Sequence, residues 1–147
     1  MASLGSASPS AHDVIWRVFD NFKEECATSS KDAATKRFYH SLSSVFGDVA
    51  IEALLLIDKN RVALLASPSG KQLYQVEERQ CLQVVLPKVN FCLCEAFEER
   101  VLTSQLQLTC KHVLAVWIAE AMDRVESREV SDEVISTKIL EFFQSTP

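Results

Sequence analysis

Three cysteines and one histidine within 21 residues constrain this chain more than anything else in it. Cys92-Leu93-Cys94 is followed, after fifteen residues, by Cys110-Lys111-His112. Soft thiolates with an imidazole make a four-ligand set suited to tetrahedral zinc. In extended backbone, residues i and i+2 project to the same side, so each one-residue spacer lets a pair grip one ion. Cys94 precedes a short helix predicted over about 95–101, and Cys110 opens a longer one over 110–126. Both pairs therefore stand at helix N-termini, where partial positive charge favours thiolates. Two positive charges against three thiolates leave a net charge of -1, and four protein ligands leave no open position. The site reads as structural rather than catalytic. A lone Cys-x-Cys would read as buried free thiols behaving as small hydrophobes; two pairs together do not.

The frame around this set is α+β, with N-terminal helices, a small antiparallel sheet and C-terminal helices. At 147 residues the chain is expected to form one compact domain. No apolar run approaches the roughly 20 residues that span a bilayer, so no membrane association is expected. The start, MASLGSASPSAHD, has neither a basic n-region nor an apolar h-region, so no secretion is expected. An intracellular setting would leave the five cysteines without disulfides. Residues 1–12 read as a disordered tail and 13–60 as a helical region. In that region, Asp13 caps a helix over 14–26 with the stripe Val14, Val18 and Phe22 and with Ile15 and Phe19 beside them, and a helix over 32–46 ends at Gly47. Asp48 then caps a third helix over 49–58, whose run Leu54-Leu55-Leu56-Ile57 points in every direction.

Strands follow from Arg61. Val62–Ala66 and Lys71–Val76 flank Ser67-Pro68-Ser69-Gly70, a turn signal between two apolar runs. Cys81–Leu86 reads as a third strand closed by Pro87, and Val89–Phe91 as a short fourth that delivers the chain to Cys92. In the helix over 110–126, Leu114, Trp117, Ile118, Ala121, Met122 and Val125 line one face. Residues 61–126 form the finger region and 127–147 a C-terminal helix. That helix spans about 132–143, with Ser131 as N-cap, Val130 stapled onto Ile135, and Ile135, Ile139 and Phe143 as its stripe.

The motif resembles the SWIM zinc fingers, whose signature is CxC followed by CxH. The fuller CxHxxA form is present as Cys110-Lys111-His112-Val113-Leu114-Ala115. With Ser67–Val76 before the finger and Cys110–Val116 after it, residues from about 35 to 126 look like the small SWIM-domain subunits of Shu-type recombination complexes. The resemblance implies a ββα finger with one structural zinc held by Cys92, Cys94, Cys110 and His112. It also implies a non-enzymatic, nuclear subunit in a heterodimer with a RecA-like recombinase paralogue. Such a pair would promote recombinase filaments on single-stranded DNA in homologous recombination repair.

Charge bears on the alternative, a nucleic-acid-binding finger acting without an obligate partner. The net charge is -5, whereas a strong autonomous DNA binder is normally basic. Only residues 61–94 are positive, with Arg61, Lys71, Arg79 and Lys88 against Glu77 and Glu78, a balance of +2. With Lys111 beside the metal ligands, these are the candidate DNA contacts; ordinary solvated side chains are the plainer reading. Two helices that are apolar nearly all round exceed what one small core encloses, so Leu54, Leu55, Val113, Val116 and Trp117 are candidate partner contacts. A Cys–His nucleophilic pair would need the same atoms as the metal. With glycine only at positions 5, 47 and 70, no phosphate-binding P-loop exists, and any ATPase must lie in the partner.

Overall fold

A computed structural model describes residues 11–28 and 30–144. Residues 1–10 of the expected tail lie outside the described residues, as does the side chain of Phe143; Ala11 and His12 form the first turn of a helix. The chain divides into two compact units, Met1–Gly47 and Asp48–Pro147, rather than the single domain expected. The boundary placed at residue 60 falls at Gly47, because the third helix packs with the elements that follow it. Gly47 has φ 62° and ψ -134°, a region that residues with a Cβ rarely enter.

The first unit is a helix pair, α1 (Ala11–Thr28) and α2 (Lys31–Phe46). Asp13 lies inside the first turn of α1 rather than capping it. Of the expected apolar stripe, Ile15, Phe19 and Phe22 are buried, whereas Val18 is half-buried and Val14 exposed. Phe22 stacks on Phe38 of α2 with centroids 4.2 Å apart, and Phe19 meets the same ring edge-on at 5.5 Å. Such pairs add about 0.5–1.5 kcal/mol each beyond area burial. The Ser30 hydroxyl caps α2 by accepting from the Ala33 N–H.

The second unit opens with α3 (Asp48–Asp58). Five strands follow: β1 (Val62–Ala66), β2 (Gln72–Glu78), β3 (Cys81–Leu86), β4 (Phe91–Cys92) and β5 (Glu126–Glu129). They form one sheet in the order β4-β3-β2-β1-β5. β1 to β4 are antiparallel neighbours, with Leu65 opposite Leu73 and Val76 opposite Gln83; β5 lies parallel to β1, so the sheet is mixed rather than wholly antiparallel as expected. At the first hairpin the Gly70 N–H donates to the Ser67 carbonyl, and Gly70 takes φ 92°, as the Pro-x-Gly spacing predicts. Pro87–Val89, expected partly as strand, is a single 3-10 turn, and β4 shrinks to two residues. The helix expected over 95–101 starts at residue 95 as expected, then widens into a π-helical coil over Phe97–Thr103 and so ends two residues later.

α4 (Lys111–Ala121) stops five residues short of the span expected. Asp123 then takes φ 55° and the chain runs into β5, of which only Glu126 falls within the helix span expected. Every residue of α4 from His112 to Ala119 is buried. One side of α4 meets the sheet, where Val62, Val76 and Val85 are buried; α3 packs on it as well. Full burial of a side chain such as Leu114 or Ile118 stabilises by roughly 1.5–3 kcal/mol. α5 (Asp132–Gln144) covers the other sheet face, where Ile135 packs with Leu65 and Leu73, and Val130 and Ile139 join them. The Ser131 hydroxyl accepts from the Val134 N–H, the N-cap expected.

Candidate metal centre

β4 places Cys92 on the α4-facing side of the sheet, beside Val85. The chain then leaves the sheet and brings Cys94 beneath the π-helical coil, where its Sγ accepts from the Phe97 N–H at 3.4 Å. Cys110 is the N-cap of α4, still extended at φ -92° and ψ 168°, and its Sγ accepts from the Val113 N–H at 3.5 Å. Both pairs thus stand at coil entrances with backbone N–H groups aimed at sulfur, as their position in the sequence implied. One residue into α4, His112 turns Nδ1 toward the thiols, 3.9 Å from Cys92 Sγ and 4.0 Å from Cys110 Sγ.

The four ligand atoms lie within 4.8 Å of one another, and all four residues are buried. Tetrahedral zinc with bonds of about 2.3 Å to sulfur and about 2.0 Å to nitrogen separates its ligand atoms by about 3.5–3.8 Å, so the set needs only slight contraction. The electrostatics call for a cation. Hydrogen bonds from Cys110 and Cys92 drive the Cys94 thiol far below its usual range, against burial. The same pairings, with burial, drive Cys110 far up, since three anions cannot coexist here uncompensated. Burial opposes an imidazolium at His112, yet Cys92 and Cys94 outweigh it and raise the ring to about 10. Three thiolates and an imidazole so placed could hold a divalent ion such as zinc, which would cross-link β4, the coil and α4.

A carboxylate completes the arrangement. His112 Nε2 lies 3.1 Å from Glu78 Oε1, so Nε2 keeps its proton toward the carboxylate and Nδ1, facing the thiols, is the nitrogen that would give up its proton to a metal. Burial would raise the Glu78 carboxyl, but Lys111 and His112 outweigh it and hold it below its usual value. Asn90 is a second supporting residue. At φ 50° its Oδ1 accepts from the Thr109 hydroxyl at 2.6 Å, and its Nδ2 donates to the Leu108 carbonyl at 3.1 Å. It ties the stretch before Cys110 to the stretch before Cys92. Neither residue carries a local sequence signal; Glu78 lies 34 positions from the histidine it orients.

The five candidate DNA contacts do not form one patch. Arg61, Arg79 and Lys111 share a cleft of about 350 Å³ with Glu52, Glu77 and Glu78. There Arg61 pairs with Glu77 at 3.3 Å, and Lys111 with Glu78 at 2.6 Å. Lys71 sits at the first hairpin, reaching Ser136 of α5 at 3.5 Å, and Lys88 lies on the 3-10 turn. Of the candidate partner contacts, Val113, Val116 and Trp117 are core: all are buried, and the Trp117 indole donates to the Pro87 carbonyl at 3.0 Å. The sheet and α3 together enclose α4, which is why the expected surplus of apolar surface is absent there. Leu54 is half-buried, whereas Leu55 and its neighbour one turn back, Ile51, are exposed.

Fold and site together define a zinc-finger protein of the Cys3His type, with a closed four-ligand set between a small sheet and the helix that follows it. Comparison with known sequences gives the family. The chain is 33% identical to zinc finger SWIM domain-containing protein 7 of Mus musculus over 127 residues, 84% of each chain. It is 31% identical to the Homo sapiens protein of that name over 130 residues, 86% of this chain and 93% of the relative. For the Danio rerio protein the figures are 37% over 94 residues, 63% of this chain and 67% of the relative. No family profile and no solved structure matches. The chain belongs to the family of zinc finger SWIM domain-containing protein 7.

Proposed function

We propose that this chain is a non-enzymatic subunit, built around one structural zinc, that pairs with a RecA-like recombinase paralogue. In the nucleus the pair would assemble or stabilise recombinase filaments on single-stranded DNA during homologous recombination repair. The observation that carries the reading is the closed, buried Cys92–Cys94–Cys110–His112 set. Four protein ligands leave no position for a substrate or an activated water, so the metal's part is to hold a shape. The recombination role rests on the resemblance of residues 35–126 to Shu-type subunits. The ion-paired state of Arg61 and Lys111 and the net charge of -5 favour DNA contact through the complex over an autonomous DNA-binding finger.

Co-expression of the tagged chain with a RecA-like paralogue tests this. A zinc-dependent, one-to-one complex that binds single-stranded DNA better than either chain is the expected result. A monomer whose melting temperature is unchanged by the paralogue refutes the heterodimer. Tight, salt-dependent DNA binding by the isolated chain would favour the autonomous finger instead.

A further inference from the structure

The hairpin joining β2 to β3 turns on two residues, Arg79 and Gln80, both left-handed at φ 49° and 67°. In such a turn the flanking pair, Glu78 and Cys81, exchanges hydrogen bonds, and pairs alternate from there. Val76–Gln83 and Tyr74–Val85 are therefore bonded pairs, and the N–H and C=O of Leu82 point away from β2. On that outer side β4 pairs only with Val85 and Leu86, because the chain turns off after Cys92 to bring Cys94 to the metal set. Among the described residues, no strand reaches the backbone of Leu82.

Beside this open edge runs a groove of about 390 Å³, walled by Leu82, Val84, Leu93 and Phe142. Gln75 lines it too, 6% exposed, and its Oε1 has no hydrogen-bond partner among the described residues. A buried, unbonded amide oxygen is unfavourable by about 1–3 kcal/mol, so it is a place where a donor is missing. At the rim, Lys138 and Glu141 oppose one another in sign, so an uncharged occupant fits. The sheet's other outer edge is different. β5 is Glu-Ser-Arg-Glu, fully exposed, with Glu126 and Arg128 paired at 3.1 Å, a composition that discourages strand addition.

We infer that β3 and its groove receive an extended, uncharged segment of the partner protein as an added strand, in the line β4 would follow if it continued. The segment's backbone pairs with Leu82, one apolar side chain enters between Val84 and Phe142, and a donor meets Gln75 Oε1. An extended chain is required because a helix has already used its own backbone groups. The inference rests on the heterodimer reading above and names the surface that reading lacks.

The test uses the zinc-loaded chain and the RecA-like paralogue. Leu82→Pro removes the outward N–H and leaves the bonds to β2, a placement that edge strands tolerate. Leu82→Lys, at a side chain 51% exposed, puts a charge in the groove without touching the ladder. Both variants should keep wild-type zinc content and melting temperature and bind the paralogue at least tenfold more weakly. In the wild-type complex the Leu82 amide should exchange with deuterium at least tenfold more slowly than in the free chain. A wild-type complex that neither variant weakens, or an unprotected Leu82 amide within it, overturns the inference alone. A wild-type chain that binds no paralogue overturns this inference and the proposed function together.

Discussion

His112 on α4 and Glu78 at the end of β2 meet through Nε2 and Oε1 at 3.1 Å. That contact fixes the ring with Nδ1 facing the three thiols, and through His112 it ties β2, which supplies no ligand, to the metal set. Glu78→Ala should weaken zinc binding by about 10–100-fold while leaving the stoichiometry at one ion. Competition against a chromophoric chelator measures this directly. An unchanged affinity would reduce Glu78 to a simple partner of Lys111.

Loss of a ligand should have a far larger effect. Structural zinc supplies an apparent ~10–16 kcal/mol in finger peptides, comparable with the ~5–15 kcal/mol stability of a whole domain. Cys94→Ser or His112→Ala should therefore unfold much of residues 48–147, and chelation of the wild-type chain should do the same. Cys26, exposed in α1, is the control: Cys26→Ser should change stability by no more than about 0.5 kcal/mol. Circular dichroism melts with metal analysis by mass spectrometry separate these outcomes. A folded preparation with less than about half an equivalent of zinc would count against the metal site.

Asn90 makes two side-chain hydrogen bonds while holding φ 50°. Asn90→Ala removes both, leaves the buried Thr109 hydroxyl without its acceptor, and forces alanine into a left-handed conformation. The combined destabilisation should be about 2–4 kcal/mol. Urea unfolding of the zinc-loaded chain gives the value. Asn90→Gly relaxes the backbone but not the bonds, so it should fall between wild type and alanine.

What could be read from the sequence followed from local chemistry. The ligand spacing picked out the four residues that the fold brings together, the Pro-x-Gly turn marked the first hairpin, and Ser131 marked the start of α5. What could not be read depended on tertiary context. β5 has no apolar residue, and its backbone pairing with β1 alone makes it a strand. The Arg79-Gln80 turn lacks the glycine or asparagine that would announce it. In α1, Val14-Val18-Phe22 and Ile15-Phe19-Phe22 both suit a helical period, and only packing against Phe38 decides between them. α4 offered too much apolar surface for one face because two layers cover it.

Tyr74 gives a pH signature. Burial, then a hydrogen bond and charge from Glu120, raise its phenol from 10.0 to about 12. The folded state thus favours the neutral ring more than the unfolded state does. Its contribution to stability is complete below pH 10 and is lost as pH rises from 10 to 12. Absorbance at 295 nm in a Tyr39→Phe background, which leaves Tyr74 as the sole tyrosine, should titrate near 12. Glu120→Gln should lower that midpoint. A midpoint already near the ordinary value in the parent would show that Glu120 and burial do not act on this ring.

Arg79 and Gln80 carry side chains in a turn whose two left-handed positions suit Asn-Gly. Each L-residue in that conformation is unfavourable by about 1–2 kcal/mol relative to glycine, somewhat less where the side chain is polar. Replacing the pair by Asn-Gly should stabilise the chain by about 1–2 kcal/mol and raise its melting temperature by several degrees. Both side chains are exposed, so no packing is lost to offset the gain. The same variant probes function, because Arg79 lines the cleft shared by Arg61 and Lys111. If the heterodimer meets a phosphate there, its affinity for single-stranded DNA should fall and its salt slope should drop by about one unit. A stabilised variant with unchanged DNA affinity and slope would remove Arg79 from the nucleic-acid surface and leave the strained turn without a functional reason.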